Sequence, residues 1–355
     1  MSSAIRIGII GAGWMGQRHA KLVADSNIAV MAGLADPDPS VALDPIFAKV
    51  QHYRDHIKLI KAETPDGIII AVPNAHHAPI AMDCLAAGIP ILVEKPIADS
   101  VESGRALVAE QRKSSVAVLV GHHRRFDPAV DATRRLINDG SIGQLLAVQA
   151  TWVTRKPEHY YQVKWRTERS SGGFILINLI HDIDMLRYLC GEISSVYSDV
   201  GSVGRSLAVA DTAAVTLRFQ NGALGTVTAS DACVSAWGWE QATGENPIIP
   251  YTGQGAVRFF GTAGSLDFPT LKLWQDASGG PGTWDRVLTS EKIALDRERN
   301  ALKDQLNHFC ALIQNDEQAP RVTVTDGLAT LIATTAIIES AEQKCPIAID
   351  CGDSI

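Results

Sequence analysis

The chain has 355 residues, 46% of them hydrophobic and 20% charged, which at roughly 150 residues per domain is enough for two ordinary cores. Its 32 basic and 39 acidic residues leave a net charge of −7 with no Lys/Arg block, which argues against a nucleic-acid partner. Apolar runs such as Gly67 to Pro73 are strand-sized and far short of the roughly 18 residues of a membrane span, so no membrane association is expected.

The start, Met1-Ser2-Ser3-Ala4, enters the apolar run Ile5 to Ile10 with no basic region or small-residue cleavage site, and secretion is not expected. The six cysteines show no C-x-x-C spacing, which argues against a disulfide framework or a metal site and points to a reducing cytoplasm. Five nearly all-apolar runs, Ile5 to Ile10, Ile28 to Leu34, Gly67 to Val72, Ile89 to Val93 and Val116 to Val120, read as strands buried on both faces of a parallel sheet. Helical patterns lie between them at Trp14 to Ala24, His77 to Ala87 and Ser100 to Lys113. The alternation predicts a doubly wound α/β domain over residues 1–122.

After it the texture changes. A helix over Pro128 to Asn138 leads into the strand Leu145 to Trp152, a polar aromatic segment, and a helix around Leu179 to Leu189. Strand-like runs follow at Ser194 to Gly201, Ala213 to Phe219, Leu224 to Ala232 and Ala256 to Phe260, with turn signals such as Asn221-Gly222. Helices around Leu302 to Ile313 and Gly327 to Glu342 close the chain. Residues 123–355 therefore read as an α+β domain with a large, mostly antiparallel open sheet.

Gly11-Ala12-Gly13-Trp14-Met15-Gly16 follows a predicted strand and opens a predicted helix, the context in which G-x-G-x-x-G is informative. The first glycine permits the tight turn, the second admits a pyrophosphate and the third lets helix and strand pack closely. Asp36 ends the second strand twenty residues after Gly16. A carboxylate there accepts from ribose hydroxyls and repels a 2′-phosphate, so NAD is expected over NADP. Pro73, Asn74 and His77 follow one buried strand and Glu94-Lys95-Pro96 another, and the carboxyl ends of strands are where such a sheet binds its ligand. For His77, simple packing in the first helical turn explains the residue equally well. A lysine at the end of a buried strand is a costly place for a charge without a chemical role.

With these residues in hand, the chain resembles the Gfo/Idh/MocA family of oxidoreductases. The likeness runs through the glycine loop, Val72-Pro73-Asn74-Ala75-His76-His77, Glu94-Lys95-Pro96, Gly121-His122-His123-Arg124-Arg125-Phe126, Trp165-Arg166, Gly172-Gly173 with His181-Asp182-Ile183-Asp184, and Gly261 to Leu266. It implies an N-terminal Rossmann domain for a nicotinamide nucleotide, a polyol substrate, and a homodimer or homotetramer formed through the C-terminal sheet. It also implies that Lys95 is the catalytic acid and base, that the Lys95-Pro96 bond is cis, and that His181 is the active-site histidine. Trp14, Met15 and Arg124 join the expected cofactor contacts; Tyr160, Trp165 and Asn178 join Lys95 and His181 as expected substrate contacts. Family members with plain dehydrogenase chemistry usually carry an Asp four residues before the histidine, where this chain has Ile177. Asp182 or a water is the available substitute. Two other readings are an enzyme of glycosidase or epimerase type that uses NAD transiently, and a non-catalytic dinucleotide sensor, against which Lys95 and His181 weigh.

Overall fold

The computed structural model describes residues 4–168, 172–280, 282–295, 298 and 300–350. Among these, the chain up to His123 together with Ala301–Leu331 forms one compact unit, and Arg124–Asn300 with the chain from Ile332 onward forms another.

In the first unit the apolar runs are strands: β1 (Ile5–Ile10), β2 (Ala29–Ala35), β3 (His52–Tyr53), β4 (Gly67–Ile70), β5 (Ile91–Val93) and β6 (Val118–Val120). They pair in the order β3-β2-β1-β4-β5-β6, all parallel. Helices α1 (Trp14–Ala24), α2 (His56–Glu63), α3 (His77–Ala86) and α4 (Val101–Gln111) connect them. Ile7, Ile9, Ile68, Ile69, Ile70 and Leu92 are fully buried, which is why no polar alternation marks these strands. The order reverses between β1 and β4, and the carboxyl ends flanking that reversal are the ligand-binding edge of such a sheet. Two elements escaped the sequence reading. β3 is two residues long, and α2 is a short helix capped by the Asp55 side chain on Lys58 N–H.

The second unit opens with α5 (Pro128–Asn138), started by the Asp127 carboxylate on Ala129 N–H, and β7 (Leu145–Val153). A π-helical turn at Ile175–Leu179 then runs directly into α6 (Ile180–Cys190). Strands β8 (Ile193–Gly201), β9 (Thr212–Phe219) and β10 (Leu224–Ser230) follow, then α7 (Trp239–Thr243), β11 (Val257–Gly261), β12 (Gly264–Phe268), β13 (Lys272–Asp276) and β14 (Leu288–Lys292). With β15 (Ile347–Ala348) they make one sheet in the order β14-β13-β12-β11-β7-β10-β9-β8-β15, antiparallel except where β10 lies parallel to β7. Strand β9 shows the pattern that holds it: Ala213, Val215, Leu217 and Phe219 face the core while Ala214, Thr216 and Arg218 face outward. The Gly261 to Leu266 segment, glycine-rich in sequence, is the tight hairpin between β11 and β12.

One difference from the sequence reading concerns the late helices α8 (Ala301–Gln314) and α9 (Val324–Gln343). Expected within the second domain, residues 301–331 pack on the first unit. Phe309 and Ile313 lie so close to Gly67 that an added Cβ would meet them at 3.0 and 2.5 Å, and Leu328 approaches Gly104 in the same way at 2.9 Å. Val120 N–H also donates to Val322 O at 3.0 Å, which covers the edge of β6. The connection between α8 and α9 that covers this sheet edge is placed by contacts distant in sequence, which periodicity does not report.

Candidate active site

The glycine loop sits at the carboxyl end of β1. Gly11 has φ +92°, and a Cβ there would meet Ala71 O at 2.3 Å; a Cβ on Gly16 would meet Gly11 O at 2.0 Å. The fold itself therefore requires these two glycines. Gly13 is different: its φ of −63° suits any residue, and a Cβ there would meet nothing within 4 Å. No feature of the protein demands a glycine at that position. Gly13 is also the N-cap of α1, which has no side-chain cap and no acidic residue in its first turn, so its leading N–H groups and dipole suit an anion. Open space, uncapped donors and a glycine that steric fit within the protein does not require suit the pyrophosphate of a dinucleotide.

Asp36, just past β2, accepts from Ala12 N–H through Oδ2 at 2.8 Å and from Asp38 N–H through Oδ1 at 2.9 Å. The carboxylate is thus tied to the glycine loop and remains half-buried. Trp14 is exposed with Arg18 stacked on its ring at 4.8 Å, Met15 is half-buried, Pro73 is exposed and Asn74 is half-buried.

Lys95 follows β5, half-buried, and its bond to Pro96 is cis. Its N–H donates to Glu94 Oε2 at 3.2 Å, while Glu94 Oε1 lies 2.8 Å from His19 Nε2. Both Glu94 and His19 are buried. Burial raises the Glu94 carboxyl, but the His19 hydrogen bond and the charges of His19, Lys95 and His123 outweigh it and take it to about 2. This pair was missed in the sequence, although a signal exists: Gly16, His19, Ala20 and Val23 form the buried stripe of α1, and a histidine on such a stripe needs a polar partner.

His77, expected at the cofactor, is fully buried in the fold. Nδ1 lies 2.6 Å from Pro96 O and Nε2 2.8 Å from Val72 O, so both ring nitrogens are committed to backbone. The imidazole ties the loop after β4 to the turn that carries Lys95. Burial lowers its pKa, while the two carbonyls favour the doubly protonated ring. Arg124 is likewise among the residues expected at the cofactor. It belongs to the second unit, buried, donating to Asp182 Oδ2 at 2.9 Å and Glu240 Oε1 at 3.2 Å, with Trp239 under its guanidinium at 4.5 Å. Its charge is needed there for two carboxylates.

In the second unit His181 lies in the first turn of α6, three residues after Asn178 in the π-helical turn, and both are half-buried. π-helical turns are rare and concentrate at functional sites. Asn178 Oδ1 accepts from Lys156 Nζ at 2.6 Å, and Lys156 lies over the Tyr160 ring at 4.3 Å. The structure thus joins Asn178 and Tyr160 through a lysine outside the expected set. The Trp165 side chain lies outside the described residues. Asp182, the expected substitute for the missing carboxylate, is buried and bonded to Arg124. Burial raises it to about 6 against the pull of that arginine. A separate cavity of about 330 Å³, lined by Phe174, Val200, Val209, Ile338 and their neighbours, contains none of the expected residues.

Two family models cover most of the sequence: an oxidoreductase family with an NAD-binding Rossmann fold over residues 5–122, and a GFO/IDH/MocA C-terminal domain over residues 130–267. The chain belongs to the Gfo/Idh/MocA oxidoreductase family. It is 27% identical to a myo-inositol 2-dehydrogenase of Thermotoga maritima, over 98% of this chain and 99% of that one. It is 28% identical to an inositol 2-dehydrogenase of Rhizobium meliloti, over 97% of this chain and 99% of that one. The fold is also that of the WlbA dehydrogenase of Bordetella pertussis, solved with NADH and UDP-GlcNAcA, at TM-score 0.77 and 20% identity over 98% of this chain and 99% of that chain. No helix among the described residues is long and apolar enough to cross a membrane.

Proposed function

We propose that this member of the family oxidises a hydroxyl-bearing carbon of a sugar, cyclitol or related polyol, with NAD in preference to NADP and with Lys95 as acid and base. The observation that carries the reading is the end-to-end match to inositol 2-dehydrogenases. The tethering of Lys95 N–H to a buried, ionised Glu94 at the carboxyl end of β5 supports the role given to the lysine.

When bound, NAD⁺ supplies the hydride acceptor. The alcohol then becomes a ketone as one hydride leaves its carbon and one proton leaves its oxygen. Lys95, as the neutral amine, takes that proton; in the reverse direction the ammonium returns it. His181 holds the reacting hydroxyl. Asp36 favours NAD, because a 2′-phosphate beside a carboxylate meets Coulomb repulsion. The reading carries with it action in the cytoplasm and a homo-oligomer formed through the outer face of the nine-stranded sheet, where Tyr197, Leu224 and Phe260 are exposed.

The test is a screen of sugars, cyclitols and sugar acids with NAD, following the absorbance of the reduced ring. Lys95→Met should lower kcat on the best substrate by about a hundredfold or more, within the range of general acid-base groups, with NAD affinity little changed. Near-normal turnover in Lys95→Met, together with a dead His181→Asn, would move the proton step to His181.

A further inference from the structure

The two sheets of this protein have four edges, and three of them offer little to a further strand. β3 and β15 are each two residues long, and β6 is covered by the backbone of Val322. The fourth edge, β14, is different. Its five residues, Leu288–Lys292, pair with β13 without a bulge, contain no proline and are all exposed. Trp284 and Val287 beside it are exposed as well.

The ladder fixes which backbone groups this edge presents. Ala277 N–H donates to Val287 O and Ile293 N–H to Leu271 O, both at 2.9 Å. Hydrogen-bonded pairs alternate along an antiparallel ladder, so Thr289 and Glu291 bond to β13, while the N–H and C=O groups of Leu288, Ser290 and Lys292 point away from it. Among the described residues these outward groups meet no hydrogen-bond partner. Such a row is a template for another strand.

We propose that β14 pairs antiparallel with β14 of a second copy of this chain, about a two-fold axis at Ser290. That axis sets Ser290 opposite its own copy and Leu288 opposite Lys292, so every outward residue of the strand exchanges its bonds. It also sets Thr289 opposite Glu291 and Val287 opposite Ile293, and no like charges face each other. An axis one residue earlier, at Thr289, sets Lys292 opposite Arg286; one residue later, at Glu291, it sets two carboxylates opposite each other. The charge pattern of the strand therefore selects the Ser290 register, and it is this self-complementarity that makes the occupant a second copy. The contact is isologous and closes on itself. It joins the two nine-stranded sheets edge to edge into one continuous sheet, so it is separate from any contact through the outer face and independent of the reaction catalysed.

The experiment combines sedimentation velocity of the full chain over a dilution series with oxidative cross-linking of Ser290→Cys. At the two-fold axis the paired Cα atoms lie about 5.5 Å apart, within disulfide reach, so Ser290→Cys should cross-link to its copy well above the background that the exposed Cys233 sets in the wild type. Glu291→Cys, which this register places opposite Thr289 and only diagonal to its own copy, should cross-link about tenfold more slowly. Ser290→Pro removes an N–H that points away from β13, so the fold and its melting temperature should hold while the sedimenting mass halves. Leu288→Lys, which sets a second ammonium opposite Lys292, should dissociate at higher concentration than the wild type, and Leu288→Glu at lower concentration. A wild-type chain that is monomeric throughout the series overturns the proposal. So does a Ser290→Pro chain of unchanged mass together with a Ser290→Cys chain that does not cross-link. Should Ser290→Pro fail to fold, the cross-link and the opposite shifts of the two Leu288 variants decide.

Discussion

Gly13→Ala separates what the fold needs from what the ligand needs. An alanine Cβ at this position meets no protein atom within 4 Å, and φ −63° is an ordinary value for alanine. Stability should therefore change by less than about 1 kcal/mol: alanine is somewhat worse than glycine at an N-cap, but it lowers the entropy of the unfolded chain by about 0.4 to 1 kcal/mol, and the two offset. The new methyl does enter the space in front of the uncapped N-terminus of α1, where the pyrophosphate must approach the backbone. Displacing it by one methyl radius should weaken NAD binding about tenfold to a hundredfold, which is roughly 1.4 to 2.8 kcal/mol. Gly11→Ala makes the opposite comparison, because its Cβ would lie 2.3 Å from Ala71 O at φ +92°, and the protein should lose stability before binding can be judged. Titration of NADH by fluorescence and thermal melting of both variants give the two readouts. A Gly13→Ala protein that binds NADH normally would refute the assignment of this loop to the pyrophosphate.

Asp36→Ser combined with Pro37→Arg should shift the NAD to NADP affinity ratio toward NADP by more than tenfold; because Asp36 also holds Ala12 N–H, total affinity should fall as well, as titration with both nucleotides would show. The Glu94 carboxyl, held at about 2 against an ordinary 4.5, contributes about 3 kcal/mol that is fully present above pH 4.5 and lost as the pH falls toward 2. Urea unfolding of Glu94→Gln should be less stable at neutral pH and lack that acid slope. Asp182 has the opposite sign: raised from 3.8 to about 6, it binds its proton more tightly in the folded state, so its contribution is full below pH 3.8 and about 3 kcal/mol is lost as the pH rises through 6. Asp182→Asn should flatten the stability profile of the second unit between pH 4 and 6, and an unchanged profile would show that Arg124 already compensates the charge.

The elements that sequence reading located are those whose own residues determine them. β1 is six residues of which all but Arg6 are buried and lack a polar side chain, and α5 is framed by an Asp127 cap and a Pro128 at its first position; both match the expected bounds. The β2 strand slid by one residue to Ala29–Ala35, because pairing with β1, not hydrophobicity, fixes its end. The π-helical turn at Ile175–Leu179 was invisible, since Phe174 to Leu179 is apolar at nearly every position and carries no phase. At the cofactor end, glycine spacing located the loop, but the separate need for Gly13 is apparent only when the surrounding space is known. His77 and Arg124 have partners that position in the chain does not report. Each lies in a family-like motif, yet their partners, Val72 and Pro96 for one, Asp182 and Glu240 for the other, are distant or backbone groups that spacing cannot name.

The two aspartates after His181 are occupied in holding the helix. Arg124 bonds Asp182 at 2.9 Å, and Arg125 bonds Asp184 twice, at 2.8 and 2.7 Å, with Tyr188 under its guanidinium at 4.7 Å. Adjacent arginines on one segment thus grip two carboxylates that flank the core residue Ile183, which fixes α6 against both rotation and sliding. Buried ion pairs of this kind add little net stability, because desolvation opposes the attraction; what they specify is register. That division of labour explains why neither aspartate is available as an acceptor for a substrate hydroxyl. It leaves the polar chemistry beside His181 to the preceding turn, where Ile177 offers none and Asn178 is oriented by Lys156.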